Sequence, residues 1–233
     1  MIAALHSPPT DLFEQWWQQQ GDWVEEPNNR RGGSSGVQRI RQQDGNLLYA
    51  KRQVGHIYRS LLHPFGRPTV LRELRALTRL SLLGINVPQV VYCGTERDAD
   101  NTWRALLVTA EFKGFIEIDQ WHASGGRERH GEAFHEKVMN AVGQMIARMN
   151  NARWQHNCLY SKHVFIRVEG EGEHASFEVG VLDLEKSRRR FTRQQAARHD
   201  LRQLRRHSSW SAADWQHVIY GHCTAFGSAI KGL

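Results

Sequence analysis

The stretch Trp154-Gln155-His156-Asn157-Cys158-Leu159-Tyr160-Ser161-Lys162-His163-Val164-Phe165-Ile166, followed by Val181-Leu182-Asp183-Leu184-Glu185, organises the reading of the whole chain. A helical pattern ends just before it. Val164 to Val168 is strand-like. Glu169 to Ser176 is polar and glycine-rich, a turn, and Phe177 to Leu184 is a second strand-like run. The order is therefore helix, loop, strand, turn, strand, aspartate.

Composition limits what can surround this stretch. A chain of 233 residues makes one large domain or two small lobes and can bury a core without disulfides. Its three cysteines, Cys93, Cys158 and Cys223, are far apart, and no Cys-x-x-Cys pair occurs, so neither a disulfide framework nor a thiolate metal site is expected. The first residues lack the basic flank and long apolar run of a signal peptide, and no stretch approaches a membrane span. A reducing, cytoplasmic location is the expectation. The net charge is +7 and most of the basic residues are arginine, a side chain suited to bidentate recognition of phosphate or carboxylate. Lys186 to Arg190 and Arg198 to Arg206 form two basic clusters. They suggest an acidic partner; nucleic acid is disfavoured because no recognition motif accompanies the charge.

From the N-terminus, residues 7–20 read as a helix, with Trp16 and Trp17 as packing residues. Residues 28–53 read as a β-hairpin over the loop Arg30 to Val37. In that loop Gly32, Gly33 and Gly36 would let backbone approach an anion, and Ser34 and Ser35 would add hydroxyl donors. The next strand, Leu47-Leu48-Tyr49-Ala50-Lys51, resembles the kinase strand that carries the nucleotide-phosphate lysine. The helix expected over 69–83 has an apolar stripe of Val70, Leu74, Leu77 and Leu80, with Arg72, Arg75 and Arg79 opposite. Glu73 falls inside the stripe, where a carboxylate is costly unless paired. A lysine arriving from an adjacent strand, Lys51, is its natural partner. Pro88 opens a further strand. Arg104 to Gly114 is a buried strand running into a break, and in a kinase-like arrangement the backbone of Glu111 to Lys113 would meet adenine there.

Residues 124–131 read as a loop. His130 and His135 lack a metal-ligand spacing and are expected to face solvent. Residues 132–151 carry a strong helical stripe that includes Phe134, Val138, Val142, Met145, Ile146 and Met149. Ser211 to Ile230 reads as a packing helix with Trp215, Val218, Ile219, Cys223 and Phe226 on its apolar face.

These segments occur in kinase order, and across residues 28–207 the chain resembles the bacterial lipopolysaccharide kinase family (Kdo/WaaP type), within it the InaA-type members. The family loop is similar to His-x-Asp-Leu-Tyr-x-x-His; His156, Leu159, Tyr160 and His163 match it. The resemblance implies an α+β, two-lobed protein-kinase-like fold, with a small antiparallel lobe carrying one helix and a shortened, mainly helical lobe. Residues 1–27 would be a helical extension, 28–112 the N-lobe and 113–233 the C-lobe. It implies ATP and Mg²⁺ as cofactors, and transfer of the γ-phosphate to a sugar hydroxyl of lipopolysaccharide core. Lys51 would hold the phosphates, positioned by Glu73 beneath the Gly32–Gly36 loop. Asp183 would bind the metal with His163, His156 would order the loop, and Asp200 would brace it or simply face solvent. Peripheral association with the inner membrane surface is a further expectation, and the oligomeric state is left open.

One position departs from the family. Cys158 stands where the catalytic aspartate belongs. A thiol is mostly protonated at neutral pH and is a poor base toward a sugar hydroxyl. Two classes of function therefore follow: a slow or unusual phosphotransferase, or a nucleotide-binding pseudokinase with a regulatory role. In either, Cys158 is expected to face the approaching acceptor.

Overall fold

The computed structural model describes residues 10–30, 32–61 and 63–233. The expected helix start at Pro8 and Pro9, and Arg31 of the glycine-rich segment, lie outside the described residues. The chain divides into two compact units: Met1–Leu74 with Gln89–Glu111, and Arg75–Pro88 with Phe112–Leu233.

In the first unit α1 (Thr10–Gln18) precedes β1 (Asp22–Arg30), β2 (Gly33–Arg41), β3 (Leu47–Val54), the hairpin β4 (Ile57–Ser60) and β5 (His63–Pro68), and the start of α2 (Val70–Leu82). It is completed by β6 (Val90–Arg97) and β7 (Trp103–Ala110). Five strands form an antiparallel sheet in the order β1-β2-β3-β7-β6. Because side chains alternate along a strand, β3 presents Leu48 and Ala50 to one face. There they bury against Phe13, Ile40, Leu106 and Val108, and Trp16 and Trp17 of α1 pack on this core as expected. Arg52 shares that face and is buried. Its guanidinium closes the carbonyl end of α1 by donating to Trp17 O at 2.6 Å and to Gln19 O, with Gln38 Oε1 accepting from Nε at 2.6 Å.

The glycine-rich segment departs from expectation. Gly33 to Val37 is strand rather than loop, and β1 reaches back to Asp22. Gly36 serves close strand packing: a Cβ there would lie 2.8 Å from the Trp23 ring and 2.9 Å from Glu25 O. Pro27 is tolerated because β1 is an edge strand whose register slips on both sides of Glu25.

In the second unit the elements are β8 (Ile116–Glu117), α3 (Ile118–Ala123), α4 (Gly126–His130), α5 (Glu132–Asn151), β9 (Trp154–Gln155), β10 (Val164–Glu169), β11 (Ser176–Val181), β12 (Arg188–Arg189), α6 (Arg193–Arg206) and α7 (Ala212–Phe226). The expected hairpin forms, β10 pairing with β11 and, on its other edge, with β8. Helices α5 and α7 meet backbone to backbone at two glycines. A Cβ on Gly143 would lie 2.1 Å from Val218 O, and one on Gly221 2.1 Å from Asn140 O. This contact turns α7, so that Gly221 and His222 are buried while Trp215, Ile219 and Cys223 are only partly covered.

Two further expectations are corrected. The 124–131 segment contains α4, seated where Gly126 lies against the Trp121 indole with no room for a Cβ. His130 and His135 are buried, not solvent-facing. His135 lies 2.7 Å from Asp214 Oδ1 through Nε2, and His130 Nδ1 lies 3.1 Å from Gly172 O. Ring stacking and these partners offset the cost of removing the imidazoles from water. Among the described residues no helix is long and apolar enough to cross a membrane.

Candidate functional site

The first unit brings Lys51 and Glu73 together: Lys51 Nζ donates to Glu73 Oε2 at 2.7 Å, with side chains 17% and 13% exposed. The reason is local. Lys51 and Gln53 are two residues apart on β3 and so share the face opposite α1. Gln53 is buried and holds the start of α2. Its Oε1 accepts from Val70 N at 3.2 Å and from Thr69 Oγ1 at 3.0 Å. With the helix start held there, Glu73, one turn in, reaches Lys51. The Gln53 clamp was not anticipated; its signal was a polar side chain at the period-2 position after Lys51.

Of the segment that precedes β3, Gly32 is the open point, with φ +75° and nothing within 4 Å of where a Cβ would stand. A Cβ on Gly33 would collide with the backbone of Gly55 and His56. Ser35 Oγ accepts from Gln53 Nε2 at 3.3 Å, and Ser34 pairs with Asn29 across the hairpin. Glu111 and Lys113 have exposed side chains. The Glu111 N–H is already donated to Leu47 O at 2.9 Å, which leaves its carbonyl to offer a ligand.

The second unit assembles the organising loop. Trp154 and Gln155 pair with Arg189 and Arg188, clamping the loop's entrance. Asp200 of α6 is fully buried and braces it. Oδ2 accepts from His156 N at 2.9 Å and Asn150 Nδ2 at 3.0 Å, while Oδ1 accepts from Asn157 N at 3.0 Å. Of the two readings open for Asp200, the bracing one is what the structure contains. Asn150 extends the network, giving its second amide hydrogen to Trp154 O and facing His222 Nε2 at 3.2 Å through Oδ1.

Within the loop, His156 is buried and donates from Nε2 to Leu182 O at 2.8 Å. Its ring stacks on His163 at 5.7 Å, with Tyr160 stacked at 5.2 Å from the same His163 ring. His163 donates from Nδ1 to Cys158 O at 2.7 Å, and its Nε2 lies 3.4 Å from Asp183 Oδ2. Burial pushes the His163 imidazole below its ordinary range, against the pull of the Cys158 carbonyl and the Asp183 charge. Burial thus favours the neutral imidazole, and the Nδ1–H bond to Cys158 O turns Nε2 toward Asp183. Asp183 (φ 58°) and Asn157 (φ 74°) both hold left-handed backbone, a conformation that costs non-glycine residues energy and clusters at functional sites. Cys158 is half-buried.

A carboxylate oxygen and an imidazole nitrogen at this distance are two donors that could be offered to one divalent cation. Among the described residues no group of three or more His, Cys, Asp or Glu could hold a metal. Further ligands would have to be oxygens of a phosphate and of water, which is the usual Mg²⁺ arrangement. Asp183 suits Mg²⁺; the imidazole suits a softer ion such as Mn²⁺ better.

The same network sets a pH dependence. Burial holds His222 near pKa 4, below the ordinary 6.5, and displaces His156 in the same direction. A group neutral in the folded state and protonated first when unfolded stabilises the fold above pH 6.5 and loses that contribution as pH falls toward 4. His222 alone accounts for about 3 kcal/mol over this window. Urea titrations at pH 7, 6, 5 and 4.5 should show a steady fall in midpoint, shallower in His222→Gln. A flat profile would mean that His222 is not buried neutral.

The model of the Lipopolysaccharide kinase (Kdo/WaaP) family matches residues 14–222. Protein InaA of Escherichia coli (strain K12) is 41% identical over 209 residues, covering 89% of this chain and 94% of that protein. Among solved structures, WaaP in complex with acyl carrier protein superposes with a TM-score of 0.70 at 19% identity, covering 92% of this chain and 83% of that one. The Rio2 kinase–ADP/Mg²⁺–phosphoaspartate complex from Chaetomium thermophilum gives 0.52 at 11% identity, covering 94% and 66%. The fold is protein-kinase-like.

Proposed function

The chain belongs to the lipopolysaccharide kinase (Kdo/WaaP) family, and on that premise we propose that it binds ATP with Mg²⁺ and directs the γ-phosphate toward a hydroxyl of a lipopolysaccharide core sugar. Residues 28–112 and 113–233 make the body of the proposed lobes, and the 1–27 segment adds α1 and the first part of β1 to the former. Lys51 holds the α- and β-phosphates, and Glu73 keeps its ammonium extended toward them. The Gly32–Gly36 segment covers the phosphates, and the backbone of Glu111 to Lys113 takes the adenine. Asp183 is the principal metal ligand and His163 the second; the metal, when bound, neutralises charge on the phosphate oxygens. His156 and Asp200 hold the loop in shape. The protein works at the cytoplasmic side, where its basic surface meets an acidic, phosphorylated acceptor.

The observation that carries this reading is the 2.7 Å Lys51–Glu73 pair, a buried-face carboxylate matched to a strand lysine in one unit. Calorimetry tests it directly. The chain should bind ATP in the presence of Mg²⁺, and Lys51→Ala should weaken binding at least about tenfold by removing a charge-assisted phosphate contact. Absence of Mg²⁺-dependent ATP binding in the unmodified protein would overturn the proposal.

Cys158 favours a second reading, a nucleotide-binding regulatory protein on the kinase scaffold. Without a carboxylate at this position, the acceptor hydroxyl has no positioned base, a loss of about 10²–10⁴ in rate. The phosphoryl transition state is loose, so positioning alone sustains part of the rate. Cys158→Asp distinguishes the two. It should raise transfer to core sugars, or ATP hydrolysis where no acceptor is supplied, by at least about tenfold. If both rates stay unchanged while ATP still binds, the regulatory reading stands.

A further inference from the structure

The hairpin β4–β5 serves none of the roles assigned above. Its strands pair with each other and, among the described residues, join no other sheet. It is nonetheless well built. Thr69 N donates to His56 O at its base, and Gly66 (φ +87°) lies so close under Ile57 that a Cβ would stand 2.5 Å from the Ile57 side chain. Tyr58 is covered by the Arg72 guanidinium at 4.9 Å. The ribbon holds two large apolar side chains out in water: Leu61 is 102% exposed and Phe65 88%. Arg59 and Arg67 flank them and are exposed, Arg67 reaching His63 Nε2 at 3.4 Å. Between Asp44 and Glu73 the sequence contains no acidic residue at all.

We propose that this hairpin docks on an anionic phospholipid surface, Leu61 and Phe65 entering the boundary between headgroups and acyl chains while Arg59 and Arg67 pair with the phosphates. Large apolar side chains exposed together in this way signal a binding surface rather than a core. The choice of occupant follows from charge. Apolar residues flanked by arginine, in a stretch of sequence without a carboxylate, match an interface that is oily within and negative at its rim. A second copy of this chain, itself at net charge +7, would bring arginine against arginine. The proposal does not rest on ATP binding or phosphate transfer.

Vesicle co-sedimentation of the full chain tests it, with phosphatidylcholine alone and with phosphatidylcholine containing phosphatidylglycerol, at low and high salt. The unmodified protein should prefer the anionic vesicles by at least about tenfold and lose that preference as salt is raised. Leu61→Ser with Phe65→Ser should weaken binding at least about tenfold at either salt. Arg59→Gln with Arg67→Gln should weaken only the salt-sensitive part. Both pairs alter exposed side chains, so unchanged circular dichroism and thermal midpoint establish that the variants are folded. Equal sedimentation of Leu61→Ser/Phe65→Ser and the unmodified protein, or none with anionic vesicles, overturns the proposal. So does a concentration-dependent dimer, detected by sedimentation velocity and abolished by the same pair, which would place a second copy on the hairpin. Binding of an acidic protein by the hairpin, without vesicle binding, overturns it equally.

Discussion

Asp200→Ala should destabilise the second unit by roughly 4 kcal/mol, because three donors lose a buried charged acceptor together. His156 N, Asn157 N and Asn150 Nδ2 all end on this one carboxylate. The carboxylate is fully buried, so the donors point at a place shielded from solvent. Asp200→Asn keeps one acceptor oxygen but turns an NH₂ toward donors, so about half of the loss should remain. Urea unfolding gives the total, and amide hydrogen exchange over 154–163 gives the local part. The loop amides should lose protection before the β2–β3 ladder does. A change below about 1 kcal/mol would show that the loop is held by other contacts.

Removing the Asp183 carboxylate should abolish Mg²⁺-dependent nucleotide binding, leaving affinity in Mg²⁺ equal to affinity in EDTA. The choice of variant follows from the backbone. Asp183 holds φ 58°, which Asn tolerates and Ala tolerates less well, so Asp183→Ala adds a penalty of about 1 kcal/mol unconnected with the metal. Asp183→Asn keeps shape and backbone while removing the charge. Its side chain is 47% exposed, so stability should hold within about 0.5 kcal/mol. Both variants should lose Mg²⁺ dependence, and Mn²⁺, which accepts the His163 imidazole more readily, should restore part of it. Full Mg²⁺ dependence in Asp183→Asn would remove Asp183 from the proposed site.

The two predictions rest on features that differed in how far the residues alone exposed them. Local order and single violations of a pattern were legible. The helix, loop, strand, turn, strand, aspartate order around 154–185 is written in apolar periodicity and turn residues, which are short-range properties. Glu73 was legible because one charge in an apolar stripe demands a partner, and the structure supplies Lys51. The same signal was present, unused, at two other places. Asn150 continues the stripe of Val142 and Ile146 at four-residue spacing, and His222 sits between Val218 and Phe226; both are buried polar groups in the Asp200 network.

Long-range packing decided the rest. That Gly33 and Gly36 serve strand packing depends on which backbone lies across from them, and spacing along the chain does not encode that distance. His130 and His135 look like surface residues until α4, α7 and the Trp121 ring enclose them, because imidazole is polar enough for water and flat enough to stack. The bracing role of Asp200 required a helix 44 residues beyond His156 to aim a carboxylate at two consecutive loop amides. The sequence by itself determined the family, the fold class and the order of candidate residues, since these follow from pattern. Only the tertiary structure decided which polar groups are buried together, because burial is a property of what packs against a residue and not of the residue.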